Sequence, residues 1–513
     1  MKQTNKLYWL GTLVVCLTAC ASSHNQLVQA LNSHEFRQVS YCDSIDHPEP
    51  MLPEVVEGLN FEPDETTAMI LNHGASAIIA RAWLSEHATE TIDAQYFIFA
   101  TDNLGLIAID HLLLAAERGV RVRLIVDDTL NHGDPNVLLA LALHPNADVR
   151  IYNPNINVGT SVWTALGNVF TDFRGVNQRM HNKLFVADGQ VAITGGRNVG
   201  AEYFDLNHNS NFRDRDVLLV NGAVQSANES FQEFWDSEIV VPIESIMGEP
   251  EFEPERAWLG LHEYSCNPEN YLPSIRQRVS NLPNALRERL TGDFAHSIGE
   301  VEYVSDPPEK NDTDGMRGGG TSTDRLLELV NSATESVLIQ SPYLVTTEVS
   351  QGLFRAAVER GVSVKIITNS LAVTDNYQAF SGYQRSRQDL LDAGVEIYEL
   401  RPNTGMQGDI MNGPVDIINS SSLAVHAKSL VVDFEVAVIG SFNLDPRSAN
   451  LNTESITVLH SETIANQLAR QIQQDMAPEN SWRTTSDFNP DSEARFGLRL
   501  KSWMARILPM SIL

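Results

Sequence analysis

The chain is short of positive charge: 36 lysines and arginines stand against 66 aspartates and glutamates in 513 residues, a formal net charge of −30. Such a surface repels a polyanion over most of its extent, whereas nucleic-acid binding relies on basic stripes that displace counterions. Nucleic acid is therefore not expected as a partner, although a local basic cleft could coexist with the acidic exterior. No zinc spacing is present among His47, His73, His111, His132 and His208, and no metal site is predicted. Gly318-Gly319-Gly320 lacks a following Lys-Ser/Thr and a preceding apolar strand, so it reads as a flexible loop and not a phosphate cradle. The apolar run near the start, Leu7 to Val15, is too short for a good membrane span.

Against those absences, one short pattern occurs twice. His181-Asn182-Lys183 is followed by Asp188, and His426-Ala427-Lys428 by Asp433, each leading through a glycine to an asparagine. The second His, Lys and Asp stand 245 positions after the first, and the same offset relates Gly195 to Gly440 and Asn198 to Asn443. Upstream, Ala115-Ala116-Glu117-Arg118-Gly119-Val120 is echoed by Ala356-Ala357-Val358-Glu359-Arg360-Gly361-Val362, where an extra valine marks a small insertion. An isolated His-x-Lys on a strand is ordinarily a solvated face, and a turn aspartate ordinarily caps its turn. Duplication in one frame reverses those odds. Two imidazoles and two ammonium groups can attack a phosphodiester, hold its charge and protonate the leaving oxygen without a metal.

His181 and Lys183 head the β-prone run Leu184 to Ala187, so both side chains leave one face of a predicted strand. Asp188-Gly189 predicts a hairpin, Gln190 to Thr194 the returning strand, and Gly195-Gly196 a place where backbone can approach a ligand. The second copy runs through Leu430-Val431-Val432-Asp433 and Val436 to Ile439, but Phe434-Glu435 takes the place of the glycine and obscures the turn. Thr91 to Phe99, Leu104 to Arg118 and Val120 to Val126 read as β-α-β, which predicts parallel pairing. Ser336 to Gln340, a helix ending near Arg360 and Val362 to Ile367 repeat it.

These blocks resemble the phospholipase D superfamily, whose HxKxxxxD signature, followed by Gly-Gly or Gly-Ser and an Asn, occurs twice per active site. The resemblance covers roughly residues 60 to 480. Within the superfamily, His181-Asn182-Lys183, the run from Gly195 to Phe204 and Asp214-Arg215-Asp216-Val217-Leu218 are most similar to the bacterial cardiolipin synthase C type. Asn443 to Ser448 with Asn452-Thr453-Glu454 is similar to the second half of bacterial cardiolipin synthases generally. The resemblance implies an α/β fold of two similar halves, each a mixed β-sheet flanked by helices, related by a pseudo-twofold axis, with the motifs meeting in one cleft. It implies catalytic roles for His181, Lys183, Asp188, His426, Lys428 and Asp433. One imidazole would attack phosphorus to form a phosphohistidine, and the other would protonate the departing alcohol and deprotonate the incoming one. His181 is the preferred nucleophile and His426 the acid/base, with the reverse assignment left open. Lys183, Lys428, Asn198, Asn443 and the Ser441 hydroxyl would bind the non-bridging oxygens. Asp216 and Glu454 would orient the imidazoles, in either pairing. The alternative for Asp188 and Asp433 is a structural role, holding their hairpins. No cofactor is called for.

The first twenty residues address the chain. Lys2 and Lys6 precede the short apolar stretch, and Leu17-Thr18-Ala19-Cys20 resembles a bacterial lipobox, in which Cys20 is lipidated and becomes the mature N-terminus; an ordinary cleaved signal or an uncleaved anchor are the alternatives. By analogy with lipoprotein sorting, Ala21 in place of Asp makes the periplasm-facing outer membrane the expected location. Cys16 leaves with the leader and Cys20 takes the lipid, so Cys42 and Cys266 remain as a candidate disulfide in an oxidising compartment.

The expected organisation is a leader over 1–19, a tether over 20–60, a first domain over 61–245, a connecting region over 246–325, a second domain over 326–480 and a tail over 481–513. Two apolar features could touch lipid. One is Val162 to Phe170, which also reads as ordinary core. The other is the tail from Arg495 to Leu508, which mixes cations with Trp, Leu and Ile and reads either as a basic amphipathic helix at an anionic membrane or as a terminal helix docked on the core. The resulting expectation is a membrane-tethered phosphatidyltransferase with phospholipid substrates. A phospholipase D that uses water, a nuclease or other phosphodiesterase, and a non-enzymatic lipid-binding envelope protein are the alternatives. Whether a protein partner is needed is not written in the sequence.

Overall fold

The same order of strands and helices is laid down twice. The computed structural model describes residues 51–58, 65–128, 133–155, 158, 177–271, 296–298, 300–310, 319–402, 404 and 421–510. The first copy contains α1 (Leu52–Gly58), β1 (Thr66–Leu71), α2 (Gly74–His87), β2 (Thr91–Tyr96), α3 (Asn103–Glu117), β3 (Arg121–Asp127), α4 (Pro135–Ala142), β4 (Ala147–Tyr152), β5 (Arg179–Met180), β6 (Leu184–Ala187), β7 (Val191–Gly195), β8 (Ser210–Arg213), β9 (Asp216–Val220), α5 (Val224–Asp236) and β10 (Val240–Pro242). After α6 (Ile243–Met247), α7 (Pro254–Cys266) and β11 (His296–Ile298) comes the second: β12 (Val301–Ser305), α8 (Thr321–Ser332), β13 (Ser336–Gln340), α9 (Glu348–Glu359), β14 (Ser363–Asn369), α10 (Tyr377–Asp392), β15 (Glu396–Leu400), β16 (Ser422–Val425), β17 (Lys428–Val432), β18 (Val436–Gly440), α11 (Pro446–Asn450), β19 (Asn452–Thr453), β20 (Ser455–His460), α12 (Glu462–Asp475) and β21 (Ser481–Thr484). The terminal helix α13 (Phe496–Ala505) packs on α10.

One sheet has the order β10-β4-β3-β2-β6-β7-β9-β1-β11, the other β12-β20-β18-β17-β13-β14-β15-β21. Removing the edge strand β11 makes them match strand for strand. In each, three strands joined by helical crossovers are parallel and the remainder antiparallel. Both β-α-β units predicted from the sequence are present, and Gly119 and Gly361, at φ +96° and +93°, follow the ends of α3 and α9, as left-handed residues past a helix end do. The second sheet starts at Val301, inside the stretch expected to be connecting chain.

Both faces of each sheet are covered, which is why the central strands are apolar at successive positions. Along β6, Phe185 and Ala187 enter a core shared with α2, α3 and α4, whereas Leu184 and Val186 enter a central core. That central core takes residues from both sheets together with Phe231 and Phe234 of α5 and Leu468 and Ile472 of α12. A third lies between the second sheet and α8, α9 and α10.

Cys266, the last residue of α7, is disulfide-bonded. Its expected partner Cys42 lies outside the described residues, as do Cys20, the leader and Val162 to Phe170. Among the described residues no helix is long and apolar enough to cross a membrane.

Candidate active site

Two very short parallel ladders stitch the halves together, and the site is built at their ends. β5 pairs with β19, Arg179 opposite Asn452 and Met180 opposite Thr453. The next residues are therefore His181 and Glu454, side by side. The His181 amide donates to the Thr453 carbonyl at 2.9 Å, and its Nδ1 lies 2.8 Å from Glu454 Oε2. In the same way β16 pairs with β8, ending with Val425 opposite Arg213. The His426 amide donates to Arg213 O at 2.9 Å, and its Nδ1 lies 2.6 Å from Asp214 Oδ2. Each half thus supplies one imidazole and the carboxylate that aims the other half's imidazole.

Glu454 orients His181, but the first-half acid is Asp214 and not Asp216. Asp216 opens β9 opposite Gly195 and is held in the ladder, where its carboxylate pairs with Arg81 at 3.0 Å and Arg197 at 3.4 Å. The strands themselves carried the signal. Gly195 pairs with Asp216 and Gly440 with Ile456, so aligning Asp214-Arg215-Asp216-Val217 with Glu454-Ser455-Ile456-Thr457 sets Asp214 against Glu454.

Asp188 and Asp433 do not reach the site. The Asp188 carboxylate accepts the amides of Thr89, Glu90 and Thr91 and the Thr89 hydroxyl, at 2.8 to 3.1 Å. Asp433 does the same with Thr334, Glu335 and Ser336 at 2.7 to 2.9 Å. Both clamp the hairpin turn to the start of a neighbouring strand, and the expected catalytic role is corrected to a structural one.

Two expected phosphate ligands are also committed elsewhere. Asn198 accepts from the Ile98 amide at 3.1 Å and donates to the Tyr203 hydroxyl at 3.0 Å. Ser441 Oγ donates to Glu454 Oε2 at 2.5 Å. Asn443 is not committed in this way: no side-chain hydrogen bond is made by it among the described residues, and its Nδ2, not its buried and unpartnered Oδ1, is the atom that could donate to a phosphate oxygen. The glycines at 195 and 196 make room for protein and not for a ligand: a Cβ on Gly196 would fall on the Asp214 carboxylate, and one on Gly195 on Asp216 and the Arg215 carbonyl.

Burial raises the Glu454 carboxyl above its ordinary value, while Lys183 and the hydrogen bonds around it favour the ionised form. Ser441 Oγ accepts the Ser455 amide at 3.0 Å and Ser448 Oγ the Asn443 amide at 3.1 Å. With their acceptor sides occupied, both hydroxyl protons are directed at Glu454, to Oε2 from Ser441 and to Oε1 at 2.6 Å from Ser448. A carboxylate accepting both leaves the third hydrogen bond to be donated by His181 Nδ1–H, which frees Nε2 as a lone pair. Behind it, Lys310 bonds Asp306, Ser448 O and Asn452 O at 2.7 to 2.8 Å, and Asp306 accepts the Glu454 amide.

The two imidazoles sit in unequal fields. Burial, then Lys183, Lys428, His426 and Arg447, drive the His181 imidazolium well below its ordinary value. Burial and Lys428 also lower His426, but Asp214 opposes them by charge and hydrogen bond. Burial would raise Asp214, yet His426, Lys428 and Arg197 hold it well below the usual carboxylate range. Of the two imidazoles His426 is therefore the one that takes a proton more readily, although it too lies below its ordinary value. Burial depresses the Lys183 ammonium strongly and takes Lys428 down to about 8. Lys183 Nζ donates to His181 O at 2.5 Å and lies 5.3 Å from the Phe97 ring centre, leaving N–H donors for an anion. Lys428 bonds His426 O and lies 3.2 Å from its Nε2. Phe97 packs edge-on against His181, and Tyr203 and Phe212 enclose His426. An apolar cavity of about 1100 Å³ between α8 and α9 reaches Lys428 and Asp445.

Paired His and Lys on duplicated hairpins, each imidazole aimed by a buried acid, define a phosphodiester-transferring site, and comparison with known proteins agrees. The family described as "Cardiolipin synthase, PLD-like domain" matches residues 84–235 and 326–476, once in each half. The chain belongs to the phospholipase D superfamily, in its cardiolipin synthase-like branch, and is an enzyme of the phosphatidyltransferase/phosphodiesterase kind. Cardiolipin synthase C of Escherichia coli (strain K12) is 34 % identical over 405 residues, 79 % of this chain and 83 % of that protein. Cardiolipin synthase 1 of Bacillus anthracis is 26 % identical over 432 residues, 83 % of this chain and 69 % of that one. Among solved structures, phosphatidylserine synthase of Haemophilus influenzae Rd KW20 shares the fold, with a TM-score of 0.57 at 13 % identity over 90 % of this chain and 99 % of its own.

Proposed function

We propose that this enzyme moves a phosphatidyl group from one phospholipid to the terminal hydroxyl of phosphatidylglycerol through a phosphohistidine, as a cardiolipin synthase would. The observation that carries the mechanism is the unequal footing of two like imidazoles, each aimed through Nδ1 by a buried acid of the other half. Burial and the surrounding cations depress both, His181 the more strongly, and Asp214 opposes that depression at His426, which is therefore the better proton carrier of the two. His181 Nε2 attacks phosphorus, the bond to the head-group oxygen breaks, and that oxygen takes the proton of His426. The acceptor hydroxyl then gives its proton to His426 while its oxygen displaces His181. Lys183, Lys428 and the Asn443 Nδ2 would donate to the non-bridging oxygens, whose charge grows in the transition state.

Purified enzyme given labelled phosphatidylglycerol, with and without phosphatidylethanolamine, is expected to yield cardiolipin. Phosphatidic acid as sole product would replace this reading with hydrolysis, and plasmid degradation in chelator would point to a nuclease. His426→Ala, supplied with a donor whose leaving group needs no proton, is expected to accumulate phosphohistidine at 181, and His181→Ala none; label at 426 would reverse the roles. The sequence further supports a lipoprotein tethered at Cys20 and facing the periplasm, checked by palmitate labelling that Cys20→Ser abolishes.

A further inference from the structure

The terminal helix α13 is docked by one face only. Ser502 and Ala505 are buried against α10, where Ser502 Oγ donates to Gln384 at 3.0 Å and Arg506 reaches the same amide. The opposite face is apolar and bare: Phe496 is 77 % exposed, Leu500 44 %, Trp503 64 %, Met504 56 %, and Ile507, in the turn that follows, 77 %. At the α-helical pitch these five lie within an arc of about 100°. Arg495, Arg499 and Arg506 line one border of the stripe and Lys501, 5.9 Å from the Tyr377 ring centre, lies past the other. No acidic residue occurs from Arg495 to Met510, in a chain with a net charge of −30. A solitary exposed apolar side chain needs no explanation, but a contiguous stripe edged with cations does.

The position of the helix adds a second argument. Leu508 and Met510, just past it, pack with Tyr343 on Val345 and Ala379, and Met510 also lines the 1100 Å³ cavity whose other end reaches Lys428. Tyr343 in turn donates to Asp375 at 2.7 Å, an acid whose charge bears on both His426 and Lys428. The chain therefore passes from the stripe, which ends at Ile507, to Met510 in the lining of a cavity that also reaches Lys428.

We propose that the outward face of α13 is a docking surface for an anionic lipid bilayer, which brings the Met510 end of this cavity to the membrane. The proposal rests on phospholipid being the substrate. Apolar side chains would enter the boundary between headgroups and acyl chains while the bordering arginines meet lipid phosphates, an arrangement that couples apolar burial to attraction by anionic lipid.

The test uses the full chain on vesicles of phosphatidylcholine with phosphatidylglycerol whose acyl chains carry bromine. The part of the tryptophan fluorescence that Trp503→Phe removes is expected to be quenched, and less so when phosphatidylglycerol is omitted or salt raised. Phe496→Ser, Leu500→Ser and Trp503→Ser together alter only exposed groups and should leave the melting temperature unchanged. This triple variant is expected to turn over a short-chain, water-soluble phosphatidyl substrate at the wild-type rate and vesicle lipid at least roughly tenfold more slowly. An unquenched Trp503, full activity of the triple variant on vesicles, or burial of the stripe in a dimer of the chain would each overturn the docking surface. Quenching without any lipid turnover would leave docking standing and reject the transferase instead.

Discussion

His181 and His426 have the same chemistry and different neighbours, and the neighbours decide which one takes a proton more readily. Asp214 is the group that lifts His426 against burial and Lys428. Its conversion to asparagine should lower the pKa of His426 further. On the proposed mechanism His426 is protonated when the head group leaves, so the limb of kcat/KM that falls with rising pH should then move to lower pH, and a full pH profile would show it. An unmoved limb would assign that ionisation to another group. Gly196 bears on the same pair from behind: Gly196→Ala should push Asp214 off His426 and lower kcat by about 10²-fold, the scale of a roughly 1 Å misplacement, with the near-ultraviolet circular dichroism of the fold retained. The single-residue scale is also where the sequence was hardest to read. The repeat frame located both histidines and both lysines, but Asp214 and Asp216 are indistinguishable as letters, and the choice between them depends on which one enters a ladder.

At the scale of elements, the sequence was clearest where an element obeys local rules. The β-α-β units, the glycine stops and the first hairpin follow from periodicity and turn chemistry. The second hairpin was obscured because Phe434 stands where the first has Gly189. The structure nevertheless makes the same turn, with Asp433 and Phe434 at φ +51° and +56° against +50° and +63° for Asp188 and Gly189. An aromatic residue is unfavourable in that region. Asp433, with its amide and hydroxyl bonds, and the packing of Phe434 on the central core hold it there. Asp433→Ala should reduce unfolding stability by about 1–3 kcal/mol, the lower end fitting its partial exposure, while kcat per folded molecule is unchanged; a large loss of kcat would return this residue to the chemistry. Burial opposes, but the amides of Ser336, Thr334 and Glu335 hold the Asp433 carboxyl below its ordinary 3.8. Its contribution is therefore present above pH 3.8 and lost as pH falls through the lowered value. The short ladders β5·β19 and β8·β16 could not be read, since two to four residues pairing across more than two hundred positions have no local signature.

Over the whole molecule, the two halves share a core and a polar seam. Arg213 and Arg215 of the first half meet Asp475 of the second, each at 3.3 Å, and Arg215 also bonds Gln340 and Asn72. Burial, aided by Arg213, takes the Arg215 guanidinium down to about 9. Asp475→Ala would leave two buried cations without their anion and should destabilise by about 3–5 kcal/mol. Chemical denaturation of the wild type should show one cooperative transition, and of this variant one at lower denaturant. Two separated transitions in the wild type would mean that the halves are independent.

Because the reagents are exchanged across the seam, neither half holds a competent nucleophile by itself. Because the halves also share a core, His181 and Glu454 should part together with His426 and Asp214 in the one cooperative transition, so turnover and helicity should be lost together on warming. On the proposed mechanism a molecule that has lost this seam falls silent instead of leaking, since with no aimed imidazole it cannot load phosphorus and offers water no half-finished lipid.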